Sequence, residues 1–168
     1  MASLSSKNSF SKFYSWLPIF ILFISVLNEF DFNYLGLDYF SFNFPFILIF
    51  FFSLKEFKHF DYLLVFIAGL INDTVVGLPL GISSLSYCLI CAATSYLRNI
   101  TIRPHLIKDW FYFLLIISLI NSLNYSVLNL FFSYNLNLIN YLINNFFTFL
   151  FYLFFVNIFN LYLKGLND

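Results

Sequence analysis

The sequence predicts an all-α fold: a polytopic membrane bundle of six transmembrane helices, forming one integral membrane domain over residues 1–168. Composition, the length of the apolar runs and the placement of the basic residues carry that expectation. Hydrophobic residues make up 61% of the chain and charged residues 10%. A typical soluble domain holds about 45–50% apolar and about 25% charged residues. The chain is long enough for one soluble domain but lacks the charge to solvate it. An ordinary soluble enzyme, a nucleic-acid binder with a basic face and a disordered chain are therefore excluded. A core also does not need runs as long as 44–54 or 110–120, whereas a helix in lipid does.

The first span is expected over 13–28. A polar stretch with Lys7 and Lys12 precedes it, and Asn28-Glu29-Phe30-Asp31 follows in place of a small-residue cleavage site, so it reads as an uncleaved helix. Pro18 falls near its start, where a missing backbone donor costs little. The second span, 39–54, is short and ends at Lys55-Glu56-Phe57-Lys58-His59. The next apolar run, 60–97, would reach about 57 Å as one helix at about 1.5 Å per residue, nearly twice a ~30 Å hydrocarbon core. It must turn back, and its breakers are Asn72-Asp73, Gly77, Pro79 and Gly81. Spans are thus expected at 60–73 and 80–97. A polar loop to Asp109 separates these from spans at 110–132 and 138–163.

Six spans put both termini on one side. In that arrangement Lys7, Lys12, Lys55, Lys58, Arg98, Arg103, Lys108 and Lys164 all fall on the same face, cytoplasmic by the positive-inside rule. Glu29, Asp31 and Asp38 fall opposite. The net charge of zero is therefore two unlike faces added together.

Asp73 is the sharpest single residue, because a carboxylate in an apolar hairpin is costly. One role is structural: a side-chain oxygen capping the helix that re-enters the membrane. The other is a partner contact, or a ligand or ion site at a broken helix. Cys88 and Cys91 form a C-x-x-C pair one helical turn apart without further zinc ligands nearby, and read as inert packing residues. Ser83, Ser84, Ser86, Ala92, Ala93, Thr94 and Ser95 give the fourth helix the small side chains that close packing in lipid prefers. Asn121, Asn124 and Asn129 run along the fifth span, and Asn144, Asn145, Asn157 and Asn160 along the sixth. Asn121 and Asn124 share a face at i, i+3, as do Asn157 and Asn160. These asparagines are expected to face the bundle interior, a polar substrate path being the sharper reading. The richness in Phe, Ile, Asn and Tyr matches A/T-rich coding, so it carries little functional weight. No nucleophile–base pair, metal constellation or phosphate-cradling glycine loop is visible. The sequence therefore leads to no enzyme, no catalytic residues, no cofactor and no metal.

The segment from Gly69 to Ser86 resembles the signature of MreD, the bacterial rod-shape-determining membrane protein: a Gly, an Asp within a few residues, then Gly-x-Pro-x-Gly and a small, apolar helix. The likeness covers about 18 residues; the rest agrees in length and architecture alone. Gly69, Asp73, Gly77, Pro79 and Gly81 occupy the motif positions, while Asn72 stands where the family often has Gln or another polar residue. The resemblance implies a hairpin or partner-binding role for these five residues. It also implies a fold similar to the substrate-binding subunits of energy-coupling-factor transporters. The implied function is a non-enzymatic scaffold of the cell-elongation machinery in the bacterial inner membrane, with both termini cytoplasmic. Such a scaffold binds MreC and, through it, MreB and the peptidoglycan synthases, with no nucleic acid involved. The alternative is the substrate-binding membrane subunit of a small-solute, vitamin-type transporter. That alternative requires a roomy cavity with convergent polar groups.

Overall fold

The computed structural model describes residues 16–27, 41–57, 60–100, 105–133 and 137–167. The described chain is all-α, with no strand. Its helices are α1 (Trp16–Leu27), α2 (Phe44–Leu54), α3 (Tyr62–Val76), α4 (Ile82–Ile100), α5 (Leu106–Phe132) and α6 (Leu138–Asn167). The acidic residues Glu29, Asp31 and Asp38, and the basic residues Lys7, Lys12, Lys58 and Arg103, lie outside the described residues.

The short helix α2 forms the centre. Every residue from Phe44 to Phe52 is buried, as befits a helix that is apolar all round. It packs on α4 and α6, while α3 packs on α4, α4 on α5, and α5 on α6. Leu22 and Val26 of α1 join the same core. Aromatic rings fill the space around α2. Phe50 meets Phe113 at 5.0 Å and Tyr152 at 5.6 Å between centroids. Phe51 and Phe52 each lie 5.2 Å from Phe159. Offset and edge-on pairs of this kind add to the area they bury.

The start of α2 is anchored by hydrogen bonds to α6. Asn43 caps the helix, its Oδ1 accepting from the Phe46 N–H at 3.3 Å, and Pro45 occupies the first turn. The Asn43 N–H donates to Thr148 Oγ1 at 2.8 Å, and Asn144 Nδ2 donates to Ser41 Oγ at 2.9 Å. At the other end, Ser53 and Thr94 hydroxyls pair at 2.6 Å, and Arg98 forms an ion pair with Glu56 at 3.0 Å.

Two helices, α5 and α6, are long and apolar enough to cross a membrane. Helix α4 has the length but is diluted by serine, threonine and Arg98, and α1, α2 and α3 are apolar but shorter. An 11-residue helix such as α2 spans only about 16 Å. Its apolarity serves a surrounding of protein rather than lipid.

Helix ends differ from the expected spans in both directions. Helix α2 starts at Phe44 rather than 39, α3 at Tyr62 rather than 60 and α4 at Ile82 rather than 80, because Asn43, Asp61 and the Pro79–Gly81 turn precede them. Other ends run beyond the apolar stretch. Helix α3 runs on to Val76, α4 to Ile100 and α6 to Asn167, and α5 starts at Leu106. Hydropathy marks where a helix leaves an apolar medium, not where its hydrogen bonding stops. Lys108 and Lys164 are tolerated inside helical ends because they are exposed, whereas Asp109 is partly buried and lines a small cavity that Lys55 also lines.

The outer faces carry large apolar residues at helical spacing. On α6 these are Leu138, Leu142, Phe146, Leu150, Phe154, Ile158 and Leu161, all exposed. Helix α5 exposes Ile107, Phe111, Leu115, Leu119 and Leu123; α1 exposes Trp16, Phe20, Ile24 and Leu27. The bundle thus has apolar residues both inside and outside. A monomer in water rarely exposes apolar stripes of this extent.

Candidate functional site

Asp73 sits in the last turn of α3, one of the few buried polar side chains, with no exposed surface. Its carboxylate accepts two backbone N–H bonds from the start of α4: Oδ2 from Gly81 at 2.7 Å and Oδ1 from Ser83 at 2.8 Å. Those donors belong to a helix end that has no intrahelical partners for them. A negative charge at that end is further favoured by the helix dipole. The main-chain carbonyl of the same residue closes α3, accepting from the N–H groups of Gly77 and, at 2.9 Å, Leu78. Asp73 therefore finishes one helix with its backbone and opens the next with its side chain.

The glycines serve that geometry. Gly77 has φ 74° and ends α3 in the left-handed conformation, and Gly81 has φ 107° just ahead of α4. Side chains rarely adopt either backbone state. Between them Pro79 supplies the turn, its carbonyl facing the Ile82 N–H at 3.4 Å. Gly69 has a different task. A Cβ placed on it would lie 2.6 Å from the Ser84 backbone nitrogen and closer still to the Ser84 Cα. Only a glycine lets α3 and α4 approach so closely at this point.

The structure thus brings all five motif residues into one hairpin, and both Asp73 oxygens are engaged inside it. This is the capping geometry expected of the structural role. Asn72, beside it, donates to Ser83 Oγ at 2.9 Å, adding a second tie between the helices. At the far end of the pair, Tyr62 bonds Ser95 at 2.6 Å.

A cavity of about 560 Å³ opens beside the hairpin. It lies among the C-terminal halves of α1, α3 and α5 and the N-terminal halves of α2, α4 and α6. Ser25, Phe46, Asn72, Tyr87, Asn124 and Tyr141 represent the six helices in its wall. Phe46 and Tyr87 are nearly inaccessible and pack edge-on at 5.8 Å. Hydrogen bonds between helices fix the amides: Ser86 Oγ donates to Asn124 Oδ1 at 2.9 Å, and Asn121 Nδ2 to Asn145 Oδ1 at 3.3 Å. A second, smaller cavity of about 160 Å³, lined in part by Lys55, Asp109 and Asn160, lies toward the opposite ends of α2 and α5.

The expectation that the asparagines face inward holds for Asn121, Asn124, Asn144 and Asn145 but not for all. Asn129 and Asn157 are exposed. On α6 the inward stripe is Thr148, Tyr152, Val156 and Phe159. Asn157 falls off that stripe, between the outward-facing Phe154 and Ile158. Asn129 lies close to the end of α5. Asn157 and Asn160 do not share an environment, since only Asn160 reaches a cavity.

Cys91 is buried and Cys88 partly so, and both thiols are free. Among the described residues no three His, Cys, Asp or Glu side chains are grouped to hold a metal ion. Sequence reasoning did not find Ser41, Asn43, Asn137, Asn140 and Tyr141 as cavity residues. The signal for Asn43 was present: an Asn two residues before a Pro, at the head of an apolar run, is a helix start. No protein-family model, curated protein or solved structure matches the chain.

Proposed function

We propose that this chain is a non-enzymatic scaffold of the MreD type, a multi-pass protein of the bacterial inner membrane with both termini cytoplasmic. It binds the membrane segment of MreC and helps position peptidoglycan synthases. The observation that supports it is the hairpin. Gly69, Asp73, Gly77 and Gly81 each have a separate geometric duty in one rigid α3–α4 unit. That unit presents Leu63, Phe66, Leu85 and Leu89 on its outside as a surface for another apolar helix.

Six crossings are part of the same proposal. Exposed apolar stripes run along α1, α5 and α6. Over Leu138 to Leu161 the α6 stripe extends about 35 Å, comparable to a ~30 Å hydrocarbon core. Lys55, Arg98, Lys108 and Lys164 stand at the C-terminal end of α2, α4 and α6 or the N-terminal end of α5. In an alternating bundle these ends share one face, and the 560 Å³ cavity opens at the other.

The test is co-purification of the detergent-solubilised chain with a tagged MreC from the same bacterium. A stoichiometric complex, lost when Leu85 and Leu89 are changed to Ala, supports the scaffold. Failure of any complex to form, with both proteins inserted, overturns it. The transporter-subunit reading is favoured by the polar cavity. It requires solute uptake that depends on an energising partner, and uptake measurements separate it from the scaffold.

A further inference from the structure

The scaffold reading has no use for the cavity beside the hairpin. We propose that this cavity binds a small, uncharged solute that carries a ring and several hydroxyl or amide groups, admitted from the face opposite the basic residues.

Its size comes first. About 560 Å³ lies within the roughly 300–1,000 Å³ typical of sites that enclose small ligands. All six helices contribute to its wall, so the site is built by the bundle as a whole. Such a site between helices is where membrane bundles place polar cargo.

The chemistry of the wall selects the ligand. Seven of the chain's seventeen asparagines line this one cavity, with four serines and two tyrosines. A coding bias would scatter asparagines along the helices without gathering them from α3, α5, α6 and the cap of α2 around one space. Each carboxamide offers two donors and an acceptor with two lone pairs. One bond to a neighbouring helix, such as Asn72 to Ser83 or Asn124 to Ser86, fixes its orientation without exhausting that capacity. Fixed donors and acceptors on several sides suit hydroxyl and amide groups, which need both.

The described wall disfavours a charged ligand on the same grounds. Among the described residues, no Lys, Arg, His, Asp or Glu lines the cavity. Asp73 lies behind Asn72 and Ser83, and both its oxygens are taken by the α4 backbone. A phosphate, carboxylate or ammonium group would meet no counter-charge among the described lining residues, at a cost of several kcal/mol. A ring is suited by Phe42 and Tyr141, which line the same space and are only partly buried, giving it an aromatic boundary.

The experiment uses the full chain in lipid nanodiscs. Glucose and uridine are the uncharged probes; glucose 6-phosphate and uridine monophosphate are their charged counterparts. Binding is read by equilibrium dialysis of radiolabelled probe and by the shift in melting temperature. Saturable binding is expected for at least one uncharged probe, with at least tenfold weaker binding of its phosphorylated form. Asn124→Leu and Asn121→Leu are expected to weaken that binding tenfold or more, while the exposed Asn157→Leu leaves it unchanged. If neither uncharged probe binds saturably up to millimolar concentration, if the phosphorylated forms bind as well, or if the two cavity variants bind as tightly as wild type, the proposal fails. MreC co-purification is scored separately, so the scaffold and the solute site stand or fall independently.

Discussion

Asp73 and Ser83, ten residues apart, are joined by a 2.8 Å bond from the Ser83 backbone N–H to Oδ1 of the carboxylate. With the second bond from Gly81, this makes one buried side chain the cap of the following helix. Asp73→Ala would leave two N–H groups without an acceptor beneath a packed surface. Each such loss costs about 1–3 kcal/mol. Asp73→Asn keeps one acceptor oxygen and is expected to cost about half as much. Thermal unfolding in detergent, followed by circular dichroism, should rank wild type above Asn above Ala. An alanine variant that melts with the wild type would show that the carboxylate does not hold the hairpin.

The close approach of Gly69 to the Ser84 backbone leads to a second expectation. Gly69→Ala must push α3 and α4 apart, because the clash is with main chain and no rotamer change relieves it. Overpacking of this kind costs about 1–3 kcal/mol. Gly165→Ala makes the matching control: a Cβ there meets nothing within 4 Å, and it lies in the last turns of α6. Alanine is favoured over glycine in a helix by about 0.5–1 kcal/mol. The first variant should melt well below wild type, and the second at or slightly above it. Equal melting of the two would contradict the contact.

Ser84 itself is fully buried, and among the described residues its hydroxyl is the buried side-chain polar atom without a hydrogen-bond partner. Its value to the fold is therefore its size. Ser84→Ala removes an unsatisfied group and keeps the narrow crossing, so stability should be unchanged or rise by up to about 1 kcal/mol. Ser84→Val adds bulk at the same crossing and should lower it. A marked drop in melting temperature for Ser84→Ala would mean that the hydroxyl has a partner after all.

The hairpin was the most legible part of the molecule. Asn72-Asp73, Gly77, Pro79 and Gly81 interrupt an apolar run too long for one helix, and a carboxylate among them has few places to go but a helix end. The double use of Asp73, backbone for α3 and side chain for α4, was not legible, since it depends on α3 continuing to Val76. Periodicity marks which residues are apolar, and α2 is apolar on every side; it cannot say that the surroundings are protein rather than lipid. The cavity was hidden for a similar reason. Its asparagines are spread from Asn43 to Asn144, and only the packing of α2 against α6 brings Ser41 and Asn43 to Asn144 and Thr148. Asn129 and Asn157 look the same in sequence and point outward.

The exposed stripe on α6 provides the sharpest test of what surrounds the bundle. Leu150 lies near the middle of that stripe, and Leu161 near its end, three residues before Lys164. If lipid covers the stripe, Leu150→Arg places a cation at depth, at a cost of about 2.5–3.5 kcal/mol. Leu161→Arg can extend its guanidinium to the interface beside Lys164 and should cost much less. The carbonate-resistant membrane fraction should therefore fall several-fold for Leu150→Arg and stay near the wild-type level for Leu161→Arg. Water against the stripe would reverse the sense of both changes, because each would replace an exposed apolar side chain with a soluble one. Equal membrane recovery for the two variants would thus remove the support that α6 lends to a spanning bundle.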